Sequence, residues 1–134
     1  MGSIFSKIIT GEIKAYKIAE DENFIAFLDI MPLKRGHTLV VPKLEIDYLF
    51  DISDDLLSDL MVFSKSVAKK IETKIICKRI GVAVIGLEVP HAHVHLIPIN
   101  TVADMDFKQP KLKPSHSELL CLLYTSPSPR DPIG

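Results

Sequence analysis

The spacing of apolar and polar positions changes several times along the chain, and each change marks an element. Ile4, Phe5, Ile8 and Ile9 share one helical face, and Gly11 follows where a helix would stop. A short N-terminal helix is predicted there. Residues 15–19 and 24–30 read as strands, with the turn-forming Asp21-Glu22-Asn23 between them, so a hairpin is expected. A third strand covers residues 38–41, between Gly36-His37 and Pro42. After Ser53, a good N-cap, Leu56, Leu60, Phe63, Val67 and Ile71 recur at helical spacing, with Asp54 and Asp55 complementing the positive end of the dipole. Two more strands follow, at residues 80–85 and 91–97. Helix, hairpin, strand, helix and two strands in that order predict an α+β domain around a mostly antiparallel sheet.

The pattern fails near the end. Leu119 to Leu123 are almost all apolar, and Pro127, Pro129 and Pro132 then crowd a short stretch in which neither a regular helix nor a central strand can form. Residues 121–134 read as a non-native or disordered tail, resembling translated sequencing-adapter sequence. That leaves residues 1–120 as a single domain, with a C-terminal helix starting near Ser115.

Composition narrows the function classes. The chain of 134 residues is 47% hydrophobic and 25% charged, which is ordinary for one globular domain. Sixteen basic and 17 acidic residues leave a net charge of −1, so neither nucleic acid nor an anionic membrane is expected as a partner. No apolar run approaches the ~18 residues that span a bilayer. Cys77 and Cys121 are too few and too far apart for a disulfide framework, which fits a reducing cytoplasm.

The chemistry lies in His91-Ala92-His93-Val94-His95-Leu96-Ile97. In a strand, alternate side chains point to opposite faces, so Ala92, Val94 and Leu96 would enter the core while three imidazoles line the other face. His116, standing alone, is given no role. A row of imidazoles makes a poor core because each ring needs polar partners. Metal binding is one alternative, since His is the commonest metal ligand. His91 and His95, however, lie about 13 Å apart along an extended strand at ~3.3 Å per residue. Two of the row with His37 could still share an ion. The other alternative is covalent catalysis at phosphorus. A neutral imidazole is a good nucleophile near pH 7, and its neighbours can stabilise phosphate oxygens and the leaving group.

His-φ-His-φ-His-φ-φ, with φ apolar, resembles the signature of the histidine triad family at all seven positions of residues 91–97. Residues 3–9 resemble that family's opening helix, Phe27-Leu28-Asp29-Ile30 its nucleoside-binding strand, and residues 36–43 the strand that supplies a fourth histidine. The resemblance implies a five-stranded antiparallel sheet with a short N-terminal helix and one long central helix, commonly in a homodimer. It implies a nucleotide hydrolase or transferase acting at the α-phosphate of purine nucleotides or nucleoside phosphoramidates through a nucleotidyl-histidine intermediate, with no cofactor and no metal. His93 would be the nucleophile, His95 would bind phosphate oxygens, His91 would help orient His93, and His37 would support the cluster. Asp29 would accept hydrogen bonds from the ribose, Ile30 would lie close to the nucleoside, and Ile4, Phe5, Ile8 and Ile13 would wall the base pocket. The loop before the row departs from the family. Gly86 is present, but Leu87 and Glu88 stand where many members have Gln and a hydroxyl residue that hold phosphate. That change motivates an alternative, a nucleotide-binding or interaction module with little turnover.

Overall fold

In a computed structural model of the chain, residues 2–123 are described. They form α1 (Ile4–Ile9), β1 (Lys17–Glu20), β2 (Phe24–Leu28), β3 (Thr38–Pro42), α2 (Asp54–Glu72), β4 (Arg79–Ala83), β5 (Val94–Ile99) and α3 (His116–Leu123). The five strands make one antiparallel sheet in the order β1-β2-β3-β5-β4, so β1 and β4 are its edges. This is the α+β architecture expected from the sequence.

Each face of the sheet has its own core. The stripe of α2 (Leu60, Val67 and Ile71) packs on Phe24, Ala26, Val40, Val94 and Leu96. On the opposite face, Phe5 of α1 meets Ile25, Phe27, Leu39 and Val41. β2 and β3 are therefore buried along their whole length, as central strands covered on both sides must be. Burying a side chain of this size fully is worth about 1.5–3 kcal/mol, so the two-sided core supplies most of the drive to fold. Ser53 caps α2, its hydroxyl accepting the Leu56 N–H at 3.3 Å. Leu119 and Leu122 of α3 pack on Leu28, and the Lys74 ammonium donates to the Leu122 and Leu123 carbonyls at 2.6 and 2.8 Å. Part of the segment read as a tail, residues 121–123, thus belongs to α3. Residues 124–134 lie outside the described residues.

Several boundaries differ from the sequence reading. β2 stops at Leu28 rather than residue 30, β4 at Ala83 rather than 85, and β1 starts two residues and ends one residue later than predicted. The largest correction concerns the histidines. β5 begins at Val94, not at residue 91, so His91, Ala92 and His93 precede the ladder. The reason is local. The His91 amide donates to the Val89 carbonyl at 2.8 Å and the Ala92 amide to the Ile46 carbonyl at 2.7 Å, so neither pairs with a neighbouring strand. After Ala83 the chain swings away through Gly86, whose φ of 75° suits glycine, so β4 pairs with no residue before His95.

Candidate active site

The sheet brings four imidazoles together on the face that carries α1. His95 lies opposite Leu39 of β3 and Ala83 of β4, while His37 sits just before β3. The turn that delivers His37 requires glycine. Gly36 has φ of 91°, and a Cβ there would stand 2.9 Å from Ile75. The His37 carbonyl accepts the Asp29 amide at 3.0 Å, so the loop ties Asp29 to the same site. Rings of His93 and His95 lie 4.9 Å apart and those of His37 and His95 5.2 Å apart.

Hydrogen-bond partners decide which nitrogen of each ring carries the proton. Burial holds His37 down to about 3, reinforced by the charges of His95, Lys111 and His93. His95 is held to about 4, again chiefly by burial and then by His93 and Lys111. His93 is also lowered by burial, although the His91 carbonyl, Asp29 and Glu88 oppose the shift. All three rings are therefore neutral at pH 7, each with one N–H and one lone pair. The Leu33 amide donates to His37 Nδ1 at 3.0 Å, which places the His37 proton on Nε2. That Nε2–H donates to His95 Nδ1 at 3.0 Å, which leaves His95 with its proton on Nε2. A different partner sets His93. Its Nδ1 lies 2.8 Å from the His91 carbonyl, which can only accept, so Nδ1 carries the proton and Nε2 a lone pair. A nucleophilic nitrogen and a hydrogen-bond donor thus stand side by side.

His91 does something else. Its side chain is 0% exposed, its Nε2–H donates to the Pro42 carbonyl at 2.8 Å, and its Nδ1 accepts the Ser3 hydroxyl at 2.8 Å. The expectation that all three imidazoles of the row line one open face is therefore corrected. His91 joins β3 to the N-cap of α1, and it reaches His93 through its carbonyl rather than its ring.

Asp29 is partly buried, which raises its carboxyl above the usual range, and its Oδ1 accepts the Met31 amide at 2.9 Å. Its Oδ2 stands 3.8 Å from His37 Nε2, but with His37 neutral the contact is not an ion pair. Phe5 packs edge-on against His91 and His93, with centroids 5.9 and 4.9 Å away, and is buried. Ile8 and Ile13 line a groove with Ile9, Lys14 and Ile25, and none of the four histidines nor Asp29 is among its walls. Ile4 and Ile30 are exposed. Gly86 and Glu88 lie on the loop that leads into the row, and Glu88 acts electrostatically on both His93 and Asp29.

Two neighbours were not singled out from the sequence. Phe107 sets its edge against His95 at 5.0 Å and His37 at 6.4 Å. Lys111 acts on Asp29, His37 and His95. Both come from residues 100–115, which show no periodicity, so only the folded chain brings them in.

The eight ring nitrogens of the four histidines bear on metal binding. Six are held in the hydrogen bonds above, which leaves His93 Nε2 and His95 Nε2. Two nitrogens do not make the four-coordinate set that zinc takes, and no cluster of three or more His, Cys, Asp or Glu among the described residues is arranged to hold an ion.

Residues 10–102 match the family model of the HIT domain. The chain belongs to the HIT domain family. Among its HIT relatives, a HIT-like protein of Methanocaldococcus jannaschii is 43% identical over 105 residues, covering 71% of this chain and 77% of the other. The adenosine 5'-monophosphoramidase of Saccharomyces cerevisiae is 42% identical over 97 residues, covering 71% of this chain and 61% of the yeast protein. In structure the HIT fold is matched by a histidine triad nucleotide-binding protein of Sulfolobus tokodaii, with TM-score 0.76 and 28% identity over 90% of this chain and 86% of that one. A Zn-bound histidine triad family protein of Mycobacterium smegmatis has TM-score 0.75 and 26% identity, over 89% of this chain and 88% of that one. Among the described residues, no helix is long and apolar enough to cross a membrane.

Proposed function

We propose that this HIT protein is a nucleotide hydrolase that acts at the α-phosphate of nucleoside phosphoramidates or related purine nucleotides through a nucleotidyl-histidine intermediate on His93. The observation that carries the reading is the pair of opposite tautomers, a bare Nε2 on His93 beside an Nε2–H on His95. The family relationship to monophosphoramidases of Saccharomyces cerevisiae and Schizosaccharomyces pombe supports it.

In the proposed reaction His93 Nε2 forms a bond to phosphorus as the bond to the leaving group breaks, and the bonding pair stays with the leaving atom. That atom takes one proton from solvent at the open rim. Water then attacks phosphorus, the P–Nε2 bond breaks, and one proton is returned. The Nδ1–H bond to the His91 carbonyl shares the positive charge of the phosphorylated ring, and His95 Nε2–H donates to a phosphate oxygen where negative charge develops. Asp29 would hold the ribose and Ile30 the nucleoside, with Ile4, Phe5, Ile8 and Ile13 as apolar walls for the base.

The decisive experiment is mass spectrometry of the protein mixed with an adenosine phosphoramidate and quenched early. An adenylyl adduct on His93 is expected. Hydrolysis with an adduct on another residue refutes the assignment, while nucleotide binding with neither adduct nor turnover favours the alternative of a binding module, which the Leu87-Glu88 replacement motivates.

The proposed assembly is a homodimer in the cytoplasm. Edge strand β4 and the loop after it expose Val82, Val84, Ile85 and Leu87, and a groove there also takes in Tyr48 and Phe50. An open, apolar strand edge is a surface suited to a second copy. Cys77 and Cys121 are free thiols, consistent with a reducing compartment.

A further inference from the structure

Phe5 is the one buried residue of α1, and its ring stands edge-on to His93, Phe27 and His91, with centroids 4.9, 5.6 and 5.9 Å away. The helix has six residues, and isolated helices shorter than about 12–15 residues are marginal in water. Its place over the histidines therefore depends on what anchors it from outside. His91 is one anchor, through the Ser3 hydroxyl that also caps the helix by accepting the Ser6 amide at 3.1 Å.

The other anchor comes from the segment after β3. Glu45 Oε1 accepts the Ser3 amide at 3.3 Å and also the Ser6 hydroxyl, so one carboxylate oxygen grips both the N-cap and the first turn of α1. Those two bonds, Ser6 first and then Ser3, hold the carboxyl below its usual range, and it is ionised at pH 7. Gly2 closes the same joint, because a Cβ there would stand 2.7 Å from the Ser6 Cβ and 3.5 Å from Glu45 Oε1. The next residue, Ile46, works through its backbone. Its carbonyl accepts the Ala92 amide at 2.7 Å, and Ala92 lies between His91 and His93. Two consecutive residues thus hold two parts of the site, Glu45 the helix and Ile46 the row. Glu45 itself is exposed and takes part in no ion pair among the described residues.

We propose that Glu45 is a positioning residue for the hydrolysis, clamping α1 onto the row so that Phe5 confines the His93 ring. This rests on the hydrolase reading above. The bond from Nδ1 to the His91 carbonyl fixes one corner of the His93 ring, and the edge of Phe5 restricts its rotation about that corner. A nucleophilic nitrogen must point along one line toward phosphorus, so freedom of the ring costs rate. Loss of the clamp frees α1 and carries Phe5 off the ring. The same loss loosens Ile4 and Ile8, the walls assigned to the base, and admits water to His93, whose neutral form is favoured by burial.

The test uses the full chain, an adenosine phosphoramidate as substrate, adenosine monophosphate for calorimetry, and hydrogen exchange of residues 4–9. Glu45→Ala should lower kcat/KM by roughly tenfold, weaken adenosine monophosphate binding, and speed exchange in α1 while β2 and β3 exchange as in the wild type. The acid limb of its kcat/KM profile should move to higher pH as His93 gains water. Glu45→Gln keeps an acceptor oxygen and should return kcat/KM to within about threefold of wild type. Ser6→Asp, which sets a second carboxylate against Glu45, should reproduce the loss, and Ser6→Asp combined with Glu45→Gln should recover most of it, since the new amide can donate to the new carboxylate. Wild-type kinetics in Glu45→Ala overturn the proposal, as does a loss that Glu45→Gln shares in full or one with α1 exchange unchanged. A wild-type chain that cleaves no phosphoramidate overturns the hydrolase reading instead, and the exchange and affinity measurements then still decide whether Glu45 clamps α1.

Discussion

Replacing His91 by Phe separates the two things this residue does. The ring holds Ser3 and Pro42 together in a site with no exposure, whereas the carbonyl, which survives any substitution, holds His93 Nδ1–H. Phe fills about the same space but can neither donate to Pro42 nor accept from Ser3. A buried polar group left without a partner costs about 1–3 kcal/mol. The Pro42 carbonyl loses the ring N–H outright, while the Ser3 hydroxyl still accepts the Ser6 amide at 3.1 Å and loses less. The sum is about 2–4 kcal/mol. For a domain of this size 1 kcal/mol moves Tm by roughly 3–6 °C, so a fall of roughly 6–24 °C is expected. Nucleophilicity should survive at a temperature where the variant is folded, with kcat within about tenfold of wild type, because the bond that fixes the His93 tautomer is made by backbone. Calorimetry and phosphoramidase kinetics on the same sample decide the matter. An unchanged Tm with kcat down a thousandfold would show that the imidazole, not the carbonyl, orients His93.

Other outcomes follow from the same geometry. His93→Ala should reduce hydrolysis on the order of 10⁶-fold while nucleotide affinity and Tm stay close to wild type, and retention of a tenth of wild-type turnover would defeat the nucleophile assignment. Stability should decline on acidification. His37 and His95 titrate near 6.5 when unfolded and at about 3 and about 4 when folded, so between those values the unfolded chain binds more protons and gains on the native state. Urea midpoints should therefore drop as pH falls from about 6.5 toward 3, where the contribution of these two rings levels off, and His37→Leu should flatten the dependence in that window. Because burial lowers His93 too, kcat/KM should hold below pH 6.5 before its acid limb begins, and an inflection above 6.5 would contradict this. Chelation with EDTA should leave activity unchanged, since six of the eight ring nitrogens are already engaged. Stoichiometric zinc lost together with activity would reverse that conclusion.

Much of the fold was legible because periodicity reports burial. The α2 stripe and the order of the strands follow from it directly. Strand ends were less so: residues 91–93 alternate as a strand does, and only the loss of ladder partners shows that β5 starts later. The site divides in the same way. His37, Asp29 and the row were visible as residue types, but their protonation pattern depends on the Leu33 amide and the carbonyls of Pro42 and His91, which carry no side-chain signature. Phe107 and Lys111 come from a stretch without periodicity, held in place by the Leu112 bond to Pro32.

The late start of β5 has a consequence for anyone wishing to build such a centre. Inside β5 the backbone is committed to the neighbouring strands, so the ring of His95 there takes its tautomer from another side chain, His37. One step outside it, His93 keeps the rigidity of the strand it leads into, and the His91 carbonyl two residues back remains free to grip its ring. A reactive imidazole grafted into the middle of a sheet would lack that grip and would need a side-chain partner, as His95 has in His37, to fix its tautomer. The place to put it is the first residue beyond the last rung.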